Sequence, residues 1–149
     1  MGFYPPIYGE VGHPFGPAAL DPRPPKPYNQ AVAADDDNAA SEATWRRALE
    51  EFVAAVRDEF GGAVERILLY GSRARGDDVP ESDVDVIVFL AEGADLEAAR
   101  RFLSGLACDV AARYGYEFLI QALAYTEESF RRRASYFFIK NVKKEGVPI

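Results

Sequence analysis

The sequence predicts an α/β (α+β) domain, a small mixed β-sheet with helices packed on it, and three observations predict it. Two short runs, Val64–Tyr70 and Val84–Leu90, are largely apolar and bounded by glycine or loop chemistry, as buried strands are. Around them, apolar residues recur at three- and four-residue spacing, the period of a helix with one buried face. The chain has 149 residues, 48% hydrophobic and 28% charged, which suffices for one core.

The elements follow in order. Eight of the ten prolines lie between Pro5 and Pro27, and an acidic run, ADDDN, follows at Ala34–Asn38. Proline fixes φ and removes a backbone donor, so Met1 to about Ala40 reads as a Pro-rich, disordered tail. The tail reads as an idle extension rather than a docking peptide. Residues 41–149 form the predicted domain. Ser41 is the expected cap of a first helix, whose buried face is Trp45, Leu49, Phe52, Val56 and Phe60, with Gly61-Gly62 as its stop. The two strands come next. Leu96, Ala99, Leu103, Leu106 and Val110 mark a second helix. Tyr116–Tyr125 is the expected third strand. Thr126 caps a last helix with Phe130, Ala134, Phe137 and Val142 on one side, ended by Gly146 and Pro148. The predicted order is α-β-β-α-β-α.

Composition narrows the function. A net charge of −7 argues against a nonspecific nucleic-acid binder, so no direct nucleic-acid partner is expected. The one cysteine, Cys108, fits a reducing compartment and reads as a small packing residue in a helix. No apolar run is long enough to span a bilayer and no secretory pattern opens the chain, so no membrane partner is expected and the expected location is cytoplasmic. The lone histidine, His13, lies in the tail, which sets aside Ser–His and Cys–His hydrolase chemistry.

The chemistry concentrates in LLYGSRARGDDVPESDVDVIVFL, Leu68–Leu90. Gly71 permits a sharp turn and a close ligand approach. A helix starting at Ser72 would offer free N–H groups to phosphate, and the Ser72 hydroxyl adds a donor. Arg73 and Arg75 could neutralise phosphate charge. Asp83 and Asp85 are two apart in a strand and share a face. Their repulsion must be offset by a proton, an arginine or a hard cation. Two carboxylates beside a phosphate cradle suit Mg²⁺.

Gly71-Ser72, ten residues, then Asp83-Val84-Asp85 resembles the GS-x10-DxD pattern of the DNA polymerase β-like nucleotidyltransferase superfamily. The GSRARG opening and the ending SFRRRASYFFIKNVKKEGVPI resemble its minimal nucleotidyltransferases, the antitoxins of HEPN–MNT toxin–antitoxin pairs. The resemblance implies that Gly71, Ser72 and Arg73 hold a nucleoside triphosphate, ATP, and that Asp83 and Asp85 hold Mg²⁺, two ions in all. It implies a third acid on a later strand. Glu117 is taken for that catalytic role. Gln121 is the other residue at that position, and an amide cannot act as a base. The implied reaction moves AMP from ATP to a tyrosine hydroxyl of a cognate HEPN ribonuclease toxin, with which the chain would form a complex. The alternatives are an antitoxin that acts by occlusion alone and a transferase acting on a small hydroxylated compound.

Overall fold

The computed structural model describes residues 36–79 and 82–149. The expected Pro-rich tail, with His13, lies almost wholly outside the described residues. Helix α1 runs from Asp36 to Phe60, so Ser41 lies inside it and does not cap it. A 3-10 turn at Gly61–Ala63 leads into β1, Val64–Tyr70. One helical turn, α2, occupies Ser72–Arg75, and β2 follows at Val84–Leu90. Both strands fall where the apolar runs predict them. Helix α3, Leu96–Arg113, starts on Asp95, whose carboxylate accepts from the N–H groups of Glu97 and Ala98 at 3.1 and 3.0 Å. Then come β3 at Ile120–Tyr125, α4 at Glu127–Arg133, α5 at Tyr136–Glu145 and a two-residue β4 at Val147–Pro148.

The sheet order is β3-β2-β1-β4. β1 pairs antiparallel with β2 and β4, and β2 pairs parallel with β3 through the α3 crossover. Alternation along the strands creates two faces. On one, Ile67, Leu69, Val84, Val86, Val88 and Ile120 join Trp45, Phe52 and Val56 of α1 and Leu103 and Val110 of α3 in the main core. On the other, Leu68, Ile87 and Phe89 pack under Phe130 of α4 and Ile139 and Val142 of α5. Burying each large side chain of this kind contributes about 1.5–3 kcal/mol.

Three expectations are corrected. The third strand is shorter than Tyr116–Tyr125, because α3 ends in residues that the strand would need. Gly115 is left-handed (φ 67°), its N–H bonds Ala112 O at 3.1 Å, and Tyr116 N–H bonds Ala111 O at 2.9 Å. This paired helix stop consumes Tyr114–Tyr116. The last helix is two helices. Thr126 caps α4 as expected, but Ala134 is extended (ψ 141°) and Ser135 caps α5 by accepting from Phe138 N–H at 3.2 Å. The break resets the helical phase, so Phe137 points outward at 75% exposure and Ile139 takes the buried place. Cys108 is exposed on α3, not packed.

Candidate active site

The site forms where β1 ends and β2 and β3 begin, on the face that α4 and α5 cover only in part. Strand register fixes its members. Tyr70 stands opposite Asp85, and Asp85 opposite Gln121. Asp83 precedes β2 by one residue and is half-buried, like Asp85. The expected pair therefore exists, aimed to one side.

Gly71 joins β1 to α2 at φ 77° and ψ −157°, a conformation open to glycine alone. The Asp85 carboxylate lies directly over it. A Cβ at position 71 would overlap Asp85 Oδ2 and come within 3.2 Å of its Cγ. Ser72 opens α2, as expected, and Arg75 N–H returns to Gly71 O at 3.1 Å. The preceding N–H groups of this single turn have no acceptor within it. The N–H groups that open α2 and the Asp85 carboxylate thus both border the Gly71 turn.

The electrostatics match that geometry. Burial pushes the Asp85 carboxyl above the usual carboxylate range, and the charge of Asp83 pushes it further. Arg75 acts in the opposite sense, more weakly. Tyr70 is pushed up to about 12, first by burial, then by Asp85 and Tyr125, so it is a neutral phenol beside the carboxylates. A hard cation would relieve the strain on Asp85, and two carboxylate oxygens on one side are donors that suit it. No cluster of three or more His, Cys, Asp or Glu that could hold an ion occurs among the described residues.

The third position is occupied by an amide. Gln121 Nε2 donates to Asp83 Oδ2 at 2.5 Å. Glu117 lies in the connector between α3 and β3, exposed, with its N–H weakly bonded to Tyr114 O at 3.4 Å. The expectation of Glu117 on the strand beside the aspartates is not met, because the α3 stop ends the strand short of it. Arg73 also differs from expectation. It is 5% exposed, and its guanidinium bonds Ser82 O and Asp78 Oδ2. Arg75 is the exposed cation beside the site, bonded to Asp77 and Glu145 at 3.0 and 2.8 Å. Sequence reasoning missed Tyr70. Its signal was its place, two residues beyond the inward-facing Leu68 and next to Gly71.

Comparison with known proteins agrees with this geometry. Residues 49–147 match the nucleotidyltransferase domain family. MJ0604 of Methanocaldococcus jannaschii, named as a candidate protein adenylyltransferase, is 32% identical over 100 residues, covering 67% of this chain and 92% of that one. MJ0141 of the same organism, named likewise, is 29% identical over 103 residues, covering 68% and 94%. The crystal structure of a candidate nucleotidyltransferase from Sulfolobus solfataricus shares the fold, with a TM-score of 0.52 and 18% identity over 79% of this chain and 90% of that one. A toxin–antitoxin complex with AMP-PNP overlaps more loosely, with a TM-score of 0.46 and 21% identity over 66% and 70%, an overlap that carries no inference. From its aligned length and its similarity to MJ0604, the chain belongs to the nucleotidyltransferase domain family.

Proposed function

We propose that this chain is a Mg²⁺-dependent protein adenylyltransferase that moves AMP from ATP to a tyrosine hydroxyl of a cognate HEPN-type ribonuclease, and is the cytoplasmic antitoxin of that pair. The observation that carries the reading is the Asp85 carboxylate lying over the Gly71 turn, with Asp83 two residues before it on the same face. The names of the two Methanocaldococcus jannaschii relatives support a protein as acceptor. The toxin and its tyrosine rest on the resemblance of GSRARG and of the C-terminal segment to minimal nucleotidyltransferases.

Gly71 lets the triphosphate approach the main chain, and Ser72 donates its hydroxyl to a phosphate oxygen. Asp83 and Asp85 would hold Mg²⁺, which when bound would supply charge neutralisation at the phosphates. The acceptor oxygen bonds to the α-phosphorus, the bond from that phosphorus to the α,β-bridging oxygen breaks, and pyrophosphate leaves. The acceptor proton passes to solvent, because Gln121 is no base. Gln121 also favours a second reading, an antitoxin that neutralises its toxin by occlusion and catalyses nothing.

Intact-mass spectrometry separates the two. The proposed HEPN-type ribonuclease partner, incubated with this chain, ATP and Mg²⁺, is expected to gain mass in AMP-sized steps. The Asp83→Asn/Asp85→Asn variant is expected to lower the rate at least about a hundredfold. A stable complex with no mass gain would establish occlusion instead.

A further inference from the structure

Ser72 and Asp83 are joined by a connection of ten residues, which Arg73 opens and Ser82 closes. Arg73 is buried, at 5% exposure. A buried guanidinium is costly unless it is fully paired, and this one is held on several sides. Nε and Nη2 both donate to Ser82 O, at 3.1 and 2.6 Å. Nη1 donates to Asp78 Oδ2 at 2.6 Å. The guanidinium carbon lies 4.8 Å from the centre of the Trp45 ring of α1, itself part of the main core. Val79 and Ser82 close on each other, Ser82 N–H to Val79 O at 2.9 Å and Val79 N–H to Ser82 Oγ at 3.0 Å. Ser82 is the residue before Asp83. On the other side of Asp83, Val84 N–H is fixed to Leu119 O at 2.8 Å.

We propose that Arg73 is a positioning residue. Its guanidinium ties the carbonyl preceding Asp83 to the turn that carries Ser72, and so sets the distance between the metal-binding carboxylate and the phosphate-binding turn. A planar fork with several donors makes this link, and a lysine has no equivalent geometry. Trp45 seats the fork against the core, so the site inherits the rigidity of α1. The catalytic consequence rests on the proposed nucleotidyl transfer. The clamp itself does not.

Two measurements on the full chain test the pieces separately. The first is amide hydrogen exchange without nucleotide, comparing wild type with Arg73→Gln, Arg73→Lys and Asp78→Asn. Faster exchange at Ser82 and neighbouring amides is expected in all three, greatest in Arg73→Gln, while β2 from Val86 onward stays protected. Unchanged exchange at Ser82 in Arg73→Gln and Asp78→Asn would overturn the clamp. If Arg73→Gln fails to fold, Asp78→Asn, whose carboxylate is partly exposed, decides alone. The second is electron paramagnetic resonance titration of Mn²⁺ in the presence of AMP-PNP. About tenfold weaker Mn²⁺ binding is expected in Arg73→Gln, with partial recovery in Arg73→Lys. Equal Mn²⁺ affinity in Arg73→Gln and wild type would overturn the positioning role. Absence of Mn²⁺ and AMP-PNP binding in the wild type would overturn the nucleotidyl-transfer reading and leave the clamp to be judged by exchange.

Discussion

The two faces of the sheet are built differently. The face under α1 and α3 is apolar along its whole length, from Val84 to Leu90 on β2 and from Ile120 to Ala124 on β3. The face under α4 and α5 is apolar where Leu68, Phe89 and Ile87 meet Phe130 and Ile139, and beyond them Arg66 lies over the Phe89 ring and pairs with the buried Glu127. Farther along the same strands that face carries Asp85 and Gln121, and next to them Asp83. One strand therefore serves a closed core and an open site at once. The second layer of helices is short, and the site lies where it stops.

Changing the closed end should give the largest effect on stability. Phe130 packs edge-on against Phe89, Tyr125 and Phe138 and is fully buried. Phe130→Ala is expected to cost about 3–5 kcal/mol, read by chemical denaturation. A loss well under that would mean that the partly covered face is not a true second core.

Gly71→Ala probes the seam between core and site. It forces a side chain into the left-handed region and into the space of the Asp85 carboxylate. The expected cost is about 1–2 kcal/mol in stability. A similar loss in transition-state binding would lower AMP transfer about tenfold. Wild-type rates in this variant would show that Asp85 can leave Gly71 without consequence.

The open end should respond in the opposite sense. The folded state holds the Asp85 proton more tightly than the unfolded chain does, because its carboxyl is pushed up by burial and by Asp83. Keeping Asp85 ionised therefore costs stability above its folded pKa, and that cost fades as pH falls through it. In metal-free buffer at neutral pH, Asp85→Asn is expected to melt at a higher temperature than wild type. The margin should shrink as pH is lowered into the carboxylate range. Mn²⁺ should stabilise the wild type and not the variant. A variant that melts lower than wild type at neutral pH would mean that Asp85 is held by partners rather than strained.

The same contrast explains what the sequence made legible. β1 and β2 were readable to the residue because buried strands are continuous apolar runs with sharp ends. The carboxylate pair was readable because side-chain alternation alone puts i and i+2 on one face. β3 was misread at its start, because the α3 stop extends through Tyr116 and its left-handed residues look like strand aromatics in a one-dimensional pattern. That error put Glu117 on the strand together with Gln121 and made it a candidate for the third acid. The α4–α5 break was hidden for a similar reason. Ala134-Ser135 contains no proline or glycine, and only the cap geometry of Ser135 marks it. Arg73 was misassigned because sequence shows a charge but not its burial.

One edge of the sheet has a consequence for assembly. An edge strand with free N–H and C=O groups is a template on which another chain can grow a sheet. Beside β1 that edge is closed by a strand of two residues, one of them Pro148, which has no N–H to offer. Ile149 continues the pairing with its N–H on Ile67 O at 3.1 Å, and its carbonyl accepts from Arg57 of α1. β4 thus covers β1 at Leu68 and Leu69 and offers no N–H at Pro148 to a further strand. The opposite edge, β3, has no such cover among the strands of the sheet and carries Gln121, so a strand added there would border the site itself.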